Sequence, residues 1–256
     1  MKRFPPELED LLTPRGRRLL AGRDPACGAI AEGRAPFVAL PGLVDARKAE
    51  ACRRLLEARL LPHLTLMEDP IPPETITRME RDYDEWLPKT VRVRTALLES
   101  ARARSSRVAA ELGVTAMLKS ASAVALAAAL TGRPLRREGG AQVLCYGPGD
   151  YSGPHNDHHP EEPDAAGGYV DLHVSLVGPG VAHQWLVYAR SGHLSEIVPV
   201  HESGTVTAYR LPFWHYTTPL VARPRRAATA RRWVLLSTLL FEPITPNCTP
   251  RRVATP

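Results

Sequence analysis

Residues 145–157 read Cys-Tyr-Gly-Pro-Gly-Asp-Tyr-Ser-Gly-Pro-His-Asn-Asp. A short apolar run enters a Gly/Pro-rich turn and ends in a His-x-Asp triplet, His155-Asn156-Asp157. On extended backbone, residues i and i+2 share a side. His155 and Asp157 are therefore expected to reach one ion while Asn156 faces away. A third ligand candidate, His215, stands downstream in Phe213-Trp214-His215. Two imidazoles and one carboxylate are the donor set that holds Fe(II) and leaves coordination positions open. Eight of the nine histidines fall between 155 and 215. That clustering carries more weight than the triplet, which arises often by chance.

Outward from this stretch the second half of the chain reads as β. Candidate strands are 141–147, 169–177, 183–189, 194–200, 204–210 and 231–241. Each is rich in β-branched or aromatic residues and bounded by Gly, Pro or Ser. Toward the N-terminus the pattern is helical after a short strand, Phe37-Val38-Ala39-Leu40. A helix is expected from Asp45, its N-cap, to Leu60, with an apolar stripe through Ala49, Cys52, Leu55, Leu56 and Leu60. Further helices are expected at 73–87, 90–111 and 114–131, the last stopped by Gly132. The fold class is thus α+β: a double-sheet jelly-roll barrel buttressed by an N-terminal helical layer. The expected division is an arm with short helices at 1–36 and a single domain at 37–242. Within that domain a helical layer spans 37–138 and a β-barrel core 139–242. An extended tail covers 243–256.

Bulk properties narrow the class. The 256 residues are 44% hydrophobic, enough for one large core. The most apolar stretch, 114–130, is broken by Lys119 and Ser120 and suits a buried helix better than a membrane span. The N-terminus has no apolar core of the secretory kind. The four cysteines show no short pairing pattern. Reduced thiols and a cytoplasmic location are expected. The net charge of +6 comes from 29 Arg against four Lys. Those arginines are scattered among acids rather than gathered on one face, which argues against a nucleic-acid partner. Oligomeric state is not written in the sequence.

Three pieces carry a family resemblance: YGPGDYSGPHND at 146–157, FWHYTTPL at 213–220 and RRWVLLSTLLFE at 231–242. In them the chain resembles the Fe(II)/2-oxoglutarate-dependent oxygenases, in the manner of the prolyl-4-hydroxylase-like branch. A weaker echo lies in the strand-then-helix entry at 37–60. The resemblance implies a double-stranded β-helix with iron at its open end. It implies His155, Asp157 and His215 as iron ligands and catalytic centre, and Tyr146 touching the cosubstrate. A basic residue on the last strand would pair with the distal carboxylate of 2-oxoglutarate. Arg225 stands at the family's usual distance from the distal histidine, but in a loop-like context. Arg232 lies on the strand and is preferred, because guanidinium grips a carboxylate with two prongs. The implied reaction is hydroxylation of a small molecule, amino acid or protein side chain by dioxygen, with release of succinate and CO2.

Two other classes compete. Asp157-His158 resembles the Asp-His pair of binuclear zinc hydrolases, yet the His-x-His they need is interrupted by Gly153. A non-catalytic cupin-like binding protein would keep the barrel without the full ligand set. His158 and His159 read as loop residues of a polar segment, 158–168, placed to cover the site. His173 reads as a pocket histidine with satisfied hydrogen bonds. Trp185, Tyr209, Phe213 and Trp214 could line a pocket, although aromatic residues on strands are usually core.

Overall fold

Alternation along the closing strand gives the barrel a packed back and a hollow front. The computed structural model describes residues 2–70, 90–136, 139–157, 168–190 and 193–242. In its first half lie α1 (Pro14–Leu20), β1 (Phe37–Leu40), α2 (Ala46–Arg59), β2 (Thr65–Pro70), β3 (Thr90–Leu97), α3 (Arg104–Glu111), α4 (Val114–Leu118) and α5 (Ala121–Thr131). Then come β4 (Leu135–Arg136), β5 (Ala141–Tyr146), β6 (Tyr151–His155), β7 (Tyr169–Val177), β8 (Val181–His183), β9 (Trp185–Arg190) and β10 (His193–Pro199). The last are β11 (Val206–Leu211), β12 (His215–Thr217), β13 (Val221–Ala222) and β14 (Arg232–Phe241).

On β14, Trp233, Leu235 and Leu239 join the main apolar core with Leu56 of α2, Met117 of α4 and Leu126 of α5. Arg232, Val234 and Leu236 face a cavity on the other side. Such a split follows from the two-residue period of extended chain. Each leucine buried there contributes about 1.5–3 kcal/mol. Ser237, set among them, donates from Oγ to the Leu118 carbonyl at 2.8 Å, so its burial leaves no orphaned donor.

The hydrogen-bonded path runs β1-β11-β7-β14-β5-β3-β6-β12-β9-β10, with β2 on β3, β4 on β14, and β13 paired to β8 as a separate ribbon. All pairings are antiparallel. The path curls until β5, β7, β11 and β14 form one wall and β6, β9 and β12 the other, both contributing side chains to one cavity. Helices α2, α4 and α5 pack on the outside of β7 and β14. The architecture is the expected helix-buttressed jelly roll.

Local signals explain the helix ends. The Asp45 carboxylate accepts from the amides of Arg47 and Lys48, both at 3.0 Å, and starts α2. Ser120 accepts from Ala123 N at 3.2 Å and starts α5. Gly132 closes α5 with φ of 68°, a left-handed conformation that favours glycine. The expected helix over 114–131 is therefore two helices, divided at Lys119-Ser120.

Several expectations are corrected. The expected helix over 90–111 is strand β3 followed by α3. Val91, Val93 and Thr95 alternate with arginines over this stretch, and a strand satisfies that period. Beyond the expected strand β1, the helical layer expected over 37–138 also contains β2 to β4, of which β3 joins the two walls. The single strand expected at 183–189 is β8 and β9, broken at Gln184. The segment 1–36 carries short helices and packs with Phe4, Leu8, Leu11, Leu19 and Ile30 buried in the main core. The expected helix at 73–87, the tail at 243–256, and His158 and His159 lie outside the described residues. Among the described residues Cys27, Cys52 and Cys145 are free thiols, and burial pushes Cys52 and Cys145 up to about 12.

Candidate metal centre

His155 ends β6 and His215 opens β12, and the two are direct cross-strand partners. Opposed residues of an antiparallel pair project to one face. The imidazole centroids are accordingly only 4.4 Å apart. Each ring is fixed by the backbone two residues before it. His155 Nδ1 donates to the Gly153 carbonyl at 2.6 Å, and His215 Nδ1 to the Phe213 carbonyl at 2.7 Å. A carbonyl only accepts, so both protons sit on Nδ1 and both Nε2 lone pairs are free to bind an ion.

Asp157 completes the group by a route different from the expected one. The strand stops at His155, and Asp157 has φ of 52°, in the left-handed region. A non-glycine residue there costs about 1–3 kcal/mol, a strain that collects at functional sites. This turn brings the carboxylate back toward the two rings. Oδ1 lies 3.1 Å from His155 Nε2 and Oδ2 3.7 Å from His215 Nε2. One donor atom from each residue falls within 4.8 Å of the others, a spacing that could hold a metal ion.

The charges of the three groups are interdependent. Burial alone would raise the Asp157 carboxyl, but the rings of His155 and His215 outweigh it and hold the group well below its usual range. For His155 burial disfavours the charged ring, yet the adjacent Asp157 carboxylate wins and the net shift is upward. Burial, then the neighbouring His155, pushes His215 down to about 4. An anionic oxygen and two imidazoles in a half-buried site suit a divalent cation.

The cavity beside them measures about 370 Å³ and also receives Tyr146, His173, Tyr209 and Arg232. Arg232 is 2% exposed. Its Nη1 donates to Gln184 Oε1 at 3.2 Å and its Nη2 to Ser175 Oγ at 3.4 Å, both neutral partners. Among the described residues its Nε has no hydrogen-bond partner, and no carboxylate pairs with the guanidinium. Burial lowers it to about 10. A guanidinium buried without a counter-ion is unfavourable unless an anion completes it. Tyr146, its register partner across β5 and β14, sets its ring centroid 5.5 Å from the guanidinium carbon. Arg225 by contrast is exposed, in a loop, with φ of 61°.

The structure thus brings His155, Asp157, His215, Arg232 and Tyr146 to one cavity. Phe213 packs against the His215 ring, whereas Trp185 is 36% exposed and stands outside the cavity. Sequence reading missed Gln184 and Ser175, which hold Arg232, and Asp150. The buried Asp150 carboxylate accepts from Gly147 N at 2.7 Å and closes the turn between β5 and β6. Tyr209, for which the sequence offers a pocket-lining role beside a core one, fills both: it is buried and lines the cavity. The Tyr209 hydroxyl reaches Asp157 Oδ2 and His173 Nε2, each at 3.3 Å.

No family model matches the chain, and no curated protein matches it in sequence. Solved structures do match in shape. A prolyl-4-hydroxylase from Pseudomonas putida superimposes with a TM-score of 0.52 at 12% identity, over 88% of this chain and 100% of that one. An oxidoreductase of the 2OG-Fe(II) oxygenase family from Burkholderia pseudomallei gives 0.53 at 15% identity, over 88% and 90%. A prolyl 4-hydroxylase structure from Phytophthora capsici gives 0.52 at 15%, over 91% and 67%. The chain therefore has the jelly-roll fold of the 2-oxoglutarate- and iron-dependent oxygenases, of the kind seen in prolyl 4-hydroxylases.

Proposed function

We propose that the chain is an Fe(II)- and 2-oxoglutarate-dependent dioxygenase, acting as a hydroxylase on a small molecule, amino acid or protein side chain. One observation carries this reading: a two-histidine, one-carboxylate cluster shares a cavity with a buried guanidinium that lacks a counter-ion among the described residues. The same cation separates it from a zinc hydrolase, whose chemistry leaves Arg232 without a role.

In this reading His155 Nε2, His215 Nε2 and Asp157 hold Fe(II). Bound iron and 2-oxoglutarate would supply the oxidising power, dioxygen being reduced as the cosubstrate becomes succinate and CO2. The chain's own residues bind, orient and exclude. The Gly153 and Phe213 carbonyls keep the imidazoles turned toward the ion. Arg232 takes the far carboxylate of 2-oxoglutarate, and Gln184 and Ser175 keep its two prongs in place. Tyr146 packs beside that carboxylate. Burial pushes its hydroxyl upward, so it stays protonated and able to donate. Met67, Val91, Leu144 and Leu186 give part of the cavity an apolar lining that limits water.

The test is substrate-free turnover of 2-oxoglutarate with Fe(II) and ascorbate under air, read as succinate. Wild-type protein is expected to produce succinate slowly, and Asp157→Ala and His155→Ala to produce none. Equal succinate from wild type and both variants would refute the assignment.

A further inference from the structure

Among the described residues, Asp157 is the one of the three convergent groups that no backbone hydrogen bond aims. Both histidine rings are pinned by carbonyls, while Asp157 sits beyond its strand on a left-handed turn. Among the described residues, its carboxylate has one neighbour outside the trio that donates to it, the Tyr209 hydroxyl at 3.3 Å from Oδ2.

We propose that Tyr209 is a positioning residue for the metal centre: its hydroxyl holds Asp157 Oδ2, which leaves Oδ1 as the single oxygen offered to the ion. The inference rests on the metal-centre reading above and adds a residue to it. Tyr209 is fully buried on β11, between β1 and β7. Its ring stacks on Phe213 at 4.8 Å and on Phe37 at 6.3 Å. Packing this close leaves the hydroxyl little freedom. A hydroxyl has one proton, and a carboxylate is a stronger acceptor than a neutral imidazole. Tyr209 thus donates to Asp157 and accepts from His173 Nε2–H at 3.3 Å. His173 Nε2 in turn lies 3.9 Å from Asp171 Oδ2, and Thr238 Oγ1 donates to Asp171 Oδ1 at 2.6 Å. A polar line thus crosses the wall from β14 through β7 and β11 to the carboxylate beyond β6.

The consequence is chemical. A carboxylate bound through one oxygen leaves the remaining coordination positions for cosubstrate and dioxygen, whereas binding through both would take one of them. Loss of a hydrogen bond that orients a ligand typically costs about 10–100-fold in metal affinity.

The experiment titrates metal-free protein with Co(II), reading affinity by chelator competition and coordination by the visible absorption of the bound ion. Tyr209→Phe keeps the ring and its stacking, so its metal-free melting temperature should stay near wild type. Its Co(II) affinity is expected to fall about 10–100-fold, with a changed spectrum as the freed oxygen coordinates. Wild-type affinity and spectrum in Tyr209→Phe would overturn the proposal. If that variant does not fold, His173→Leu, which unpins the hydroxyl, is expected to weaken Co(II) several-fold, and unchanged affinity there is equally fatal. The metal-centre reading fails separately: wild type that binds no Co(II), or Asp157→Ala that binds it undiminished, would remove that reading and this inference together.

Discussion

Replacing Arg232 by Met should make the metal-free, ligand-free protein more stable, and should abolish its stabilisation by 2-oxoglutarate. The magnitude follows from the surroundings of the guanidinium. Burial lowers Arg232 from 12.5 to about 10. At about 1.4 kcal/mol per unit, that drop is a penalty of about 3 kcal/mol on holding the charge in the folded state. Met fills much of the same volume without that penalty. Against it stand two hydrogen bonds, of 3.2 and 3.4 Å, whose loss leaves Gln184 Oε1 and Ser175 Oγ short of a partner. At about 1 kcal/mol each they offset about 2 kcal/mol. The net is a gain of about 1 kcal/mol, or about 2–4 °C in melting temperature for a chain of this size. Wild type is expected to gain about 2.7 kcal/mol when 2-oxoglutarate reaches 100 times its Kd in the presence of Mn(II), and Arg232→Met none. Urea unfolding of both proteins, with and without ligand, reads all four stabilities. A loss of more than about 2 kcal/mol in ligand-free Arg232→Met would mean the guanidinium is a structural strut. Equal stabilisation of both proteins by 2-oxoglutarate would mean its carboxylate binds elsewhere.

Two further perturbations test the supports of the site. His215 titrates near 4 in the folded metal-free protein against about 6.5 unfolded. Between those values the unfolded chain binds a proton that the folded one does not, so stability rises with pH across the window and is lost as pH falls from about 6.5 toward 4, by up to about 1.4 kcal/mol per unit. The upward shift of His155 acts in the opposite sense, its contribution fading as pH rises. Melting curves of metal-free wild type and His215→Gln over this range should show the variant less acid-sensitive; superimposable profiles would contradict the neutral, buried ring. Asp150→Asn keeps the shape of a carboxylate that lies against Arg92 and Arg94 at 3.3 and 3.7 Å and accepts from Gly147 N. It should cost about 1–3 kcal/mol and raise the KM for 2-oxoglutarate by displacing the turn that joins Tyr146 to His155. An unchanged chemical-denaturation midpoint would count against that role.

Residues with a local periodic signature were legible in the sequence. Arg232 could be placed on the last strand because the apolar run at 231–241 reads as extended chain, and the observed strand covers Arg232–Phe241; its role facing the cavity came from the family resemblance. The Asp45 cap and the Gly132 stop were legible because capping is decided within a few residues. Strand β3 was misread because arginines between its valines resemble a solvated helical face, and only pairing with β5 and β6 makes the two-residue period decisive. The triplet was recognised, but its geometry was not. His155 and Asp157 converge through a left-handed turn rather than along a strand, and backbone strain has no composition signature. Gln184 was invisible for another reason. It meets Arg232 across 48 residues of chain, and a glutamine between two short strands says nothing about its partner. Tyr209 reads as core or pocket lining by local rules, and it is both; its hydroxyl serves the site.

An anaerobic crystal structure with Mn(II) and 2-oxoglutarate tests the central claim most directly. The account predicts one Mn(II) bonded to His155 Nε2, His215 Nε2 and a single oxygen of Asp157. It also predicts the cosubstrate chelating that ion, with its far carboxylate on the guanidinium of Arg232. Metal bound at other residues, or an Arg232 that still faces only Gln184 and Ser175 while 2-oxoglutarate occupies the cavity, would contradict it.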